Sequence, residues 1–368
     1  MNPGSIGVGA GRRVALCPAA LLVLAAPAAW HGSFLMAGEG IIGNGTVWRD
    51  TGGKEIWCNG GHMIRRGDTF YWVGYETGPR RPWHIKLYSS KNLADWTFES
   101  DLIGRKGAFA IFGWAGRPAM LHHRKTGRYV ILFEGDSRKW TRHKVGFAVC
   151  DRIDGTYELA ACVHPEAART TGDQSVYQEG EKGYLVCTMD HDAGGRKYLN
   201  TSLAIFRLTD DYLGIKEKVY EGFPGRTGPA AARRHQSSRE ASHVIKVDGT
   251  YYWLSSGLRG WNSTQTMYAT AKSLAGPWSP LKPLPTDPRS GDSYNTQHDF
   301  VLPVVGSQGT CWLYVGDRYS QWTRRGTGRN IFLPLTWKDG SPTLTWCSRW
   351  KIDVATGTYQ VLPERPPK

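Results

Sequence analysis

The stretch RRGDTFYWVGYE, residues 65–76, sets a Gly-Asp turn in front of a run of aromatic and β-branched residues. Glycine reaches the positive φ of a tight hairpin turn at little cost, and Tyr, Trp, Phe and Val fit a pleated, half-buried strand. The phrase returns four times: KTGRYVILFEGDS at 125–137, GEKGYLVCTMDHD at 180–192, VDGTYYWLSSG at 247–257 and SQGTCWLYVGDR at 307–318. Between Tyr71, Tyr129, Tyr184, Tyr252 and Trp312 the intervals are 58, 55, 68 and 60 residues. Each copy is followed by a second strand-like segment and a polar turn, as in HIKLYSSKNLADWTFES and TMYATAKSLAGPWSPL. Five units of about 60 residues, each supplying several short strands, predict an all-β fold, a five-bladed β-propeller. No unit carries an apolar pattern at helical spacing, which excludes a helical solenoid. A two-sheet sandwich is the alternative.

Composition agrees. The chain has 45 Gly, 16 Trp, 17 Tyr and 11 Phe in 368 residues, a turn-and-strand mixture rather than that of a helical bundle or a disordered chain. By length alone two domains of about 150 residues each would be expected, but the repeats make residues 40–365 one propeller domain. Residues 1–29 read as an export signal: Arg12 and Arg13 precede the apolar run VALCPAALLVLAAPAA, with Ala26-Pro27-Ala28 as a small-x-small cleavage site. A secreted or periplasmic protein is expected, with no membrane contact once the signal is removed. Six of the seven cysteines would remain, and Cys150 and Cys162, flanking the Asp154-Gly155 turn, could pair across a hairpin. No CxxC or HxxxH spacing marks a metal site, and no phosphate loop, nucleotide fingerprint or Ser-His-Asp elbow is present, so no cofactor or metal is expected.

A propeller gathers the innermost strand of every blade around an axial funnel, and each innermost strand lies upstream of the recurring phrase. Glu240, in SSREASHVIKVDGTYYW, precedes the fourth phrase, and alternation through Ser242, Val244 and Lys246 would aim it into the funnel. Glycosidic hydrolysis needs such a proton donor, a second group that places water, and polar groups that grip the sugar.

At this point the chain resembles glycoside hydrolase family 43, and within it the exo-β-1,3-galactanase-like branch. The carrying segments are WRDTGGKEIWCNGGHMIRRGDTFYWVG at 48–74, Glu240-Ala241-Ser242-His243, AKSLAGPWSP at 271–280 and YVGDRY at 314–319. The resemblance implies Glu240 as general acid, Asp173 in TTGDQSVYQEG as the carboxylate that raises its pKa, and Gln297 in YNTQHDFVLP as the group that holds the attacking water. Asn59-Gly60-Gly61 stands at the blade-one position without a base Asp, as in that branch. One departure concerns blade two: where the branch carries Glu-Arg-Pro-Lys, this chain has Gly116-Arg117-Pro118-Ala119. Trp114 could supply a stacking face there, and Glu134 could reach the funnel from the next strand. Asn59, Arg117, Asp317 and Arg318 complete the expected substrate contacts, and Trp83, Trp140 and Trp261 lie on loops suited to sugar platforms.

The implied activity is exo-acting, inverting removal of β-linked galactose or a related sugar, with a disabled propeller that only binds carbohydrate as the alternative. The partner is a polysaccharide or oligosaccharide. The 46 Lys and Arg against 32 Asp and Glu, net +14, point to an acidic one. The basic residues are scattered through loops without a recognition helix, which argues against nucleic acid. A monomer is expected.

Overall fold

The computed structural model describes residues 40–76, 83–136, 143–167, 169–190, 201–225, 238–319 and 329–364. The proposed export signal and Trp140 lie outside them. The described residues are strands and turns, with one short 3-10 helix at Gly107–Ile111. No helix among them is long and apolar enough to cross a membrane.

The recurring phrase forms the second strand of each antiparallel unit: Thr69–Glu76, Tyr129–Asp136, Lys182–Asp190, Thr250–Gly257 and Thr310–Asp317. Its hairpin partner upstream is the innermost strand: Asn59–Arg66, Trp114–His122, Thr171–Glu179, Arg239–Val247 and Gln297–Val305. Turn chemistry is visible at Asp248-Gly249, where both residues have positive φ (46° and 74°) and Val247 pairs with Thr250, the geometry that a two-residue hairpin requires. Four of the sheets have four strands. The fifth gains a strand, Thr286–Asp287, which pairs in parallel with Ser341–Thr345.

The expected count of five blades is corrected to six. The sixth, three-stranded, joins Ile41–Gly43 to Arg349–Asp353 and Thr358–Val361. These strands are short, lie at the two ends of the propeller sequence and carry no copy of the phrase, so the repeat could not reveal them. Asn44 anchors them. Its buried Nδ2 donates to the carbonyls of Phe332 (2.6 Å) and Cys347 (2.8 Å), and its Oδ1 accepts from the Phe332 amide (3.1 Å).

Most tryptophans serve the seams between blades. Trp72, Trp96 and Phe332 meet between the first and fifth blades, with centroids 5.2 Å (Trp72–Trp96) and 5.3 Å (Trp72–Phe332) apart. Trp253 packs against Trp278 (5.1 Å) and Phe223 (5.5 Å). Trp83 belongs to this class: it is buried with Ile85, Leu87 and Phe109, and is no platform. The Cys150–Cys162 pairing is also corrected. All six described cysteines are thiols, and the register sets Gly146 opposite Cys162, with Cys150 opposite Tyr129.

Replacing Asn44 by Leu would strand the Phe332 amide and the Cys347 carbonyl, while the Phe332 carbonyl keeps the Trp350 indole N–H. A loss of about 2–4 kcal/mol in urea denaturation is expected, whereas an unchanged midpoint would show that the ends need no such anchor.

Candidate active site

Each of the five innermost strands carries a β-bulge near its start. The register shifts fall between Asn59 and His62, Gly116 and Ala119, Thr171 and Gln174, Glu240 and His243, and His298 and Phe300. In every case the inner strand spends one residue more than its partner, which turns its first residues out of the regular alternation. Three bulges contain a residue of positive φ: Gly60 (52°), Arg117 (48°) and Ala241 (50°). The chemistry-bearing side chains sit at these bulges or beside them, so simple alternation from Glu240 does not describe its direction.

Arg117 is the hub. Its guanidinium, 3% exposed, donates to Asp299 Oδ1 (3.0 Å), Asp173 Oδ2 (2.8 Å) and Gln297 Oε1 (2.9 Å). Expected among the substrate contacts, it is bonded in the structure to protein groups. Gln297 Nε2 donates to Glu240 Oε1 (2.8 Å) and the Gly260 carbonyl (3.2 Å). Glu240 Oε1 also accepts from the Arg259 amide (3.1 Å). Glu240, Asp173 and Gln297 are thus brought together around one cation, from three different blades.

Asn59 and Asp317 bind each other rather than solvent. Asp317 Oδ1 accepts from Asn59 Nδ2 (3.0 Å) and Asn330 Nδ2 (2.8 Å), and its Oδ2 accepts from the Gly60 amide (2.6 Å). The neighbouring Gly61 amide donates to Asp299 Oδ2 (2.8 Å). Glycine is required at both positions, since a Cβ at Gly60 would strike the Tyr75 ring and one at Gly61 the Val73 carbonyl. Arg318 lies apart, donating to the Tyr294 carbonyl (2.9 Å) and facing the Trp346 ring at 5.6 Å.

In blade two the Trp114 indole covers Gly116, filling the space that a side chain there would take, and meets Tyr75 edge-on at 5.9 Å. Glu134 lies directly opposite Gly116 in the strand pair, buried, its Oε1 2.5 Å from His143 Nδ1. Trp261 is 50% exposed beside Tyr319, centroids 6.0 Å apart, in the loop that also supplies the Arg259 amide to Glu240. Sequence reasoning missed Asp299 and His143. For Asp299 a signal existed: a carboxylate two residues after Gln297, in the same inner strand.

Charge is crowded here. Glu134, Asp173, Glu240, Asp299 and Asp317 share the neighbourhood of Arg117. Burial, then the charge of Asp173, pushes the Glu240 carboxyl well above its usual range. Burial, then Asp317, does the same to Asp299. The axial histidines move the other way, with burial as the largest cause: His62 falls to about 4, His298 to about 3, and His243 is also depressed. Among the described residues no group of three or more His, Cys, Asp or Glu is arranged to hold a metal ion.

These shifts fix the sign of the pH dependence. Below the ordinary histidine value of 6.5 the unfolded chain takes up protons that the buried histidines refuse, so stability falls with falling pH. Above the ordinary carboxyl values of 4.5 and 3.8 the folded state holds protons on Glu240 and Asp299 more tightly than the unfolded chain does, so this contribution to stability falls as pH rises and acts alone once the histidine gain is complete near 6.5. Denaturation midpoints between pH 5 and 8.5 should pass through a maximum, and Glu240→Gln should flatten the alkaline fall. A monotonic rise to pH 8.5 would contradict this charge assignment.

No curated protein matches the chain. Among solved structures it is similar to an exo-β-1,3-galactanase from Clostridium thermocellum, at 26% identity and TM-score 0.75, covering 88% of this chain and 69% of that one. It is also similar to an exo-β-1,3-galactanase from Phanerochaete chrysosporium solved with galactose, at 25% identity and TM-score 0.73, covering 88% and 71%. The model of glycosyl hydrolases family 43 matches residues 61–342, most of the chain and all five innermost strands but for the first two residues of one. The chain therefore belongs to glycosyl hydrolase family 43, in its exo-β-1,3-galactanase-like branch, and is a glycosidase.

Proposed function

We propose that the protein is an exo-acting glycosidase that releases galactose or a related sugar from a β-linked polysaccharide, with Glu240 as general acid. One observation carries this reading: Glu240 Oε2, Asp173 Oδ1 and Glu134 Oε2 accept no hydrogen bond among the described residues, although their sister oxygens do. Carboxyl oxygens left without a protein donor in a largely buried site seek one from a ligand, and a sugar ring supplies several hydroxyls at once. The galactanases to which the chain is similar make galactose the first candidate.

Glu240 suits proton donation. Burial and the negative charge of Asp173 favour its protonated form, and Oε2 is the oxygen left to protonate the departing glycosidic oxygen. Arg117 holds Asp173 and Gln297 in register with it. An inverting reaction needs a water on the far side of the ring, with the acid and the water-holding group about 6.5–9.5 Å apart. The 2.8 Å contact between Gln297 and Glu240 leaves no such space, so Gln297 serves as the water holder only once an entering sugar has parted them.

Glu240→Gln should lower kcat on β-1,3-galactan about 10²–10⁴-fold while calorimetry still registers oligosaccharide binding. NMR of the fresh wild-type product should show the inverted anomer. Undiminished activity would remove Glu240 from the role, and binding without any turnover by the wild type would favour a carbohydrate-binding propeller.

The net charge of +14 belongs to a different part of the substrate. With five carboxyl groups around Arg117, the innermost subsite suits a neutral sugar, and the chain's excess of positive charge would act on uronate or sulfate groups elsewhere on the polymer. Rates on uronate-bearing arabinogalactan should drop between 50 and 500 mM salt, estimates set by a screening length that shrinks from about 14 to 4 Å, while rates on neutral galactan should hold. Equal salt responses would show that this charge does not engage the polymer.

A further inference from the structure

Glu134 has an unusual setting. It comes from the second strand of blade two rather than an innermost one, and its partner across the ladder is Gly116. The space over Gly116 is taken by the flat indole of Trp114. His143, the residue before the strand Lys144–Cys150, grips Glu134 Oε1 at 2.5 Å and fixes the plane of the carboxyl. The His143 side chain is 25% exposed and its ring tilts over Trp114 at 6.2 Å, with Asp136 Oδ1 3.9 Å from Nε2. Glu134 Oε2 has no hydrogen-bond partner among the described residues. Glu134 is close enough to the axial carboxyls that its charge pushes the Glu240 carboxyl up and that of Asp173 pushes up its own. A carboxyl that is buried, oriented by a second side chain and left with one open oxygen beside an aromatic face has the parts of a sugar subsite.

We propose that Glu134, oriented by His143, selects the sugar in the innermost subsite: its Oε2 accepts a hydrogen bond from a ring hydroxyl while Trp114 provides the apolar face beside that ring. This rests on the glycosidase reading of the same site. Glu134 binds substrate, and His143 is a positioning residue that acts through it. A site built to pair with a hydroxyl discriminates strongly against a sugar that presents none there, because its own polar group is then left unpaired.

The experiment measures kcat and KM on β-1,3-galactobiose for the wild type, Glu134→Gln, His143→Phe and His143→Asn. Asn can donate an amide hydrogen where Nδ1 stood. Glu134→Gln should raise KM at least about tenfold with kcat within about threefold. His143→Phe should raise KM in the same way, and His143→Asn should restore most of it. Unchanged KM in Glu134→Gln, or equal behaviour of the Phe and Asn variants, would overturn the proposal. If Glu134→Gln fails to fold, as judged by its thermal transition, the partly exposed His143 pair decides. If the wild type cleaves no galactan, the glycosidase reading fails by itself. Calorimetry with galactose, glucose and arabinose then tests the subsite: tighter galactose binding by the wild type than by Glu134→Gln or His143→Phe supports it, and equal or absent binding sinks it.

Discussion

A guanidinium taken out of water must recover its lost hydration from the protein, and Arg117 does so across blade boundaries. It rises from blade two and meets Asp173 of blade three and Asp299 and Gln297 of blade five. Asp299 passes the link to the Gly61 amide of blade one, and Gln297 passes it to Glu240 of blade four. Every blade that reaches the axis is thereby joined to one buried cation. Removing a partner from such a network leaves an uncompensated charge in a poorly solvated place, a cost of about 3–5 kcal/mol. The catalytic geometry and the closure of the ring therefore rest on the same few hydrogen bonds.

The carboxyls that solvate Arg117 outnumber it, and their mutual repulsion has chemical use. Burial and Asp173 push Glu240 toward its protonated form, the state that the proposed general acid needs. One arrangement holds the blades, orients Glu240 and biases its protonation. The electrostatic tension lies in a region where the backbone is pinned by glycines that nothing larger can replace.

The repeat was legible because its physical cause is local: a glycine turn followed by a strand with both faces buried writes the same phrase each time. Gly67-Asp68-Thr69-Phe70 and Asp248-Gly249-Thr250-Tyr251 are instances of one solution. Glu240 could be placed because it precedes the fourth phrase on an inner strand, whereas Asp173 and Gln297 were placed by the family resemblance. Asp299, two residues after Gln297, was passed over because its importance comes from Arg117 and Gly61, 182 and 238 residues away. The sixth sheet could not be read, since its strands are three to five residues long and come from the two ends of the propeller sequence. Gly116 marked a missing carboxylate, and Glu134, already named from the sequence, stands opposite it across the ladder, a register that the sequence does not disclose.

The bulges have a consequence for how such a molecule can change over generations. A single-residue insertion in a regular strand reverses the facing of everything beyond it, and is normally eliminated. Here each inner strand has already absorbed one extra residue, leaving its lower portion paired as before, with Val244 opposite Trp253 and Met63 opposite Trp72. The upper few residues are thus released from the alternation that the core enforces below them. Natural variation can lengthen, shorten or rewrite those tips while the hydrophobic seams remain under their old constraint, so new sugar preferences can arise without renegotiating the fold.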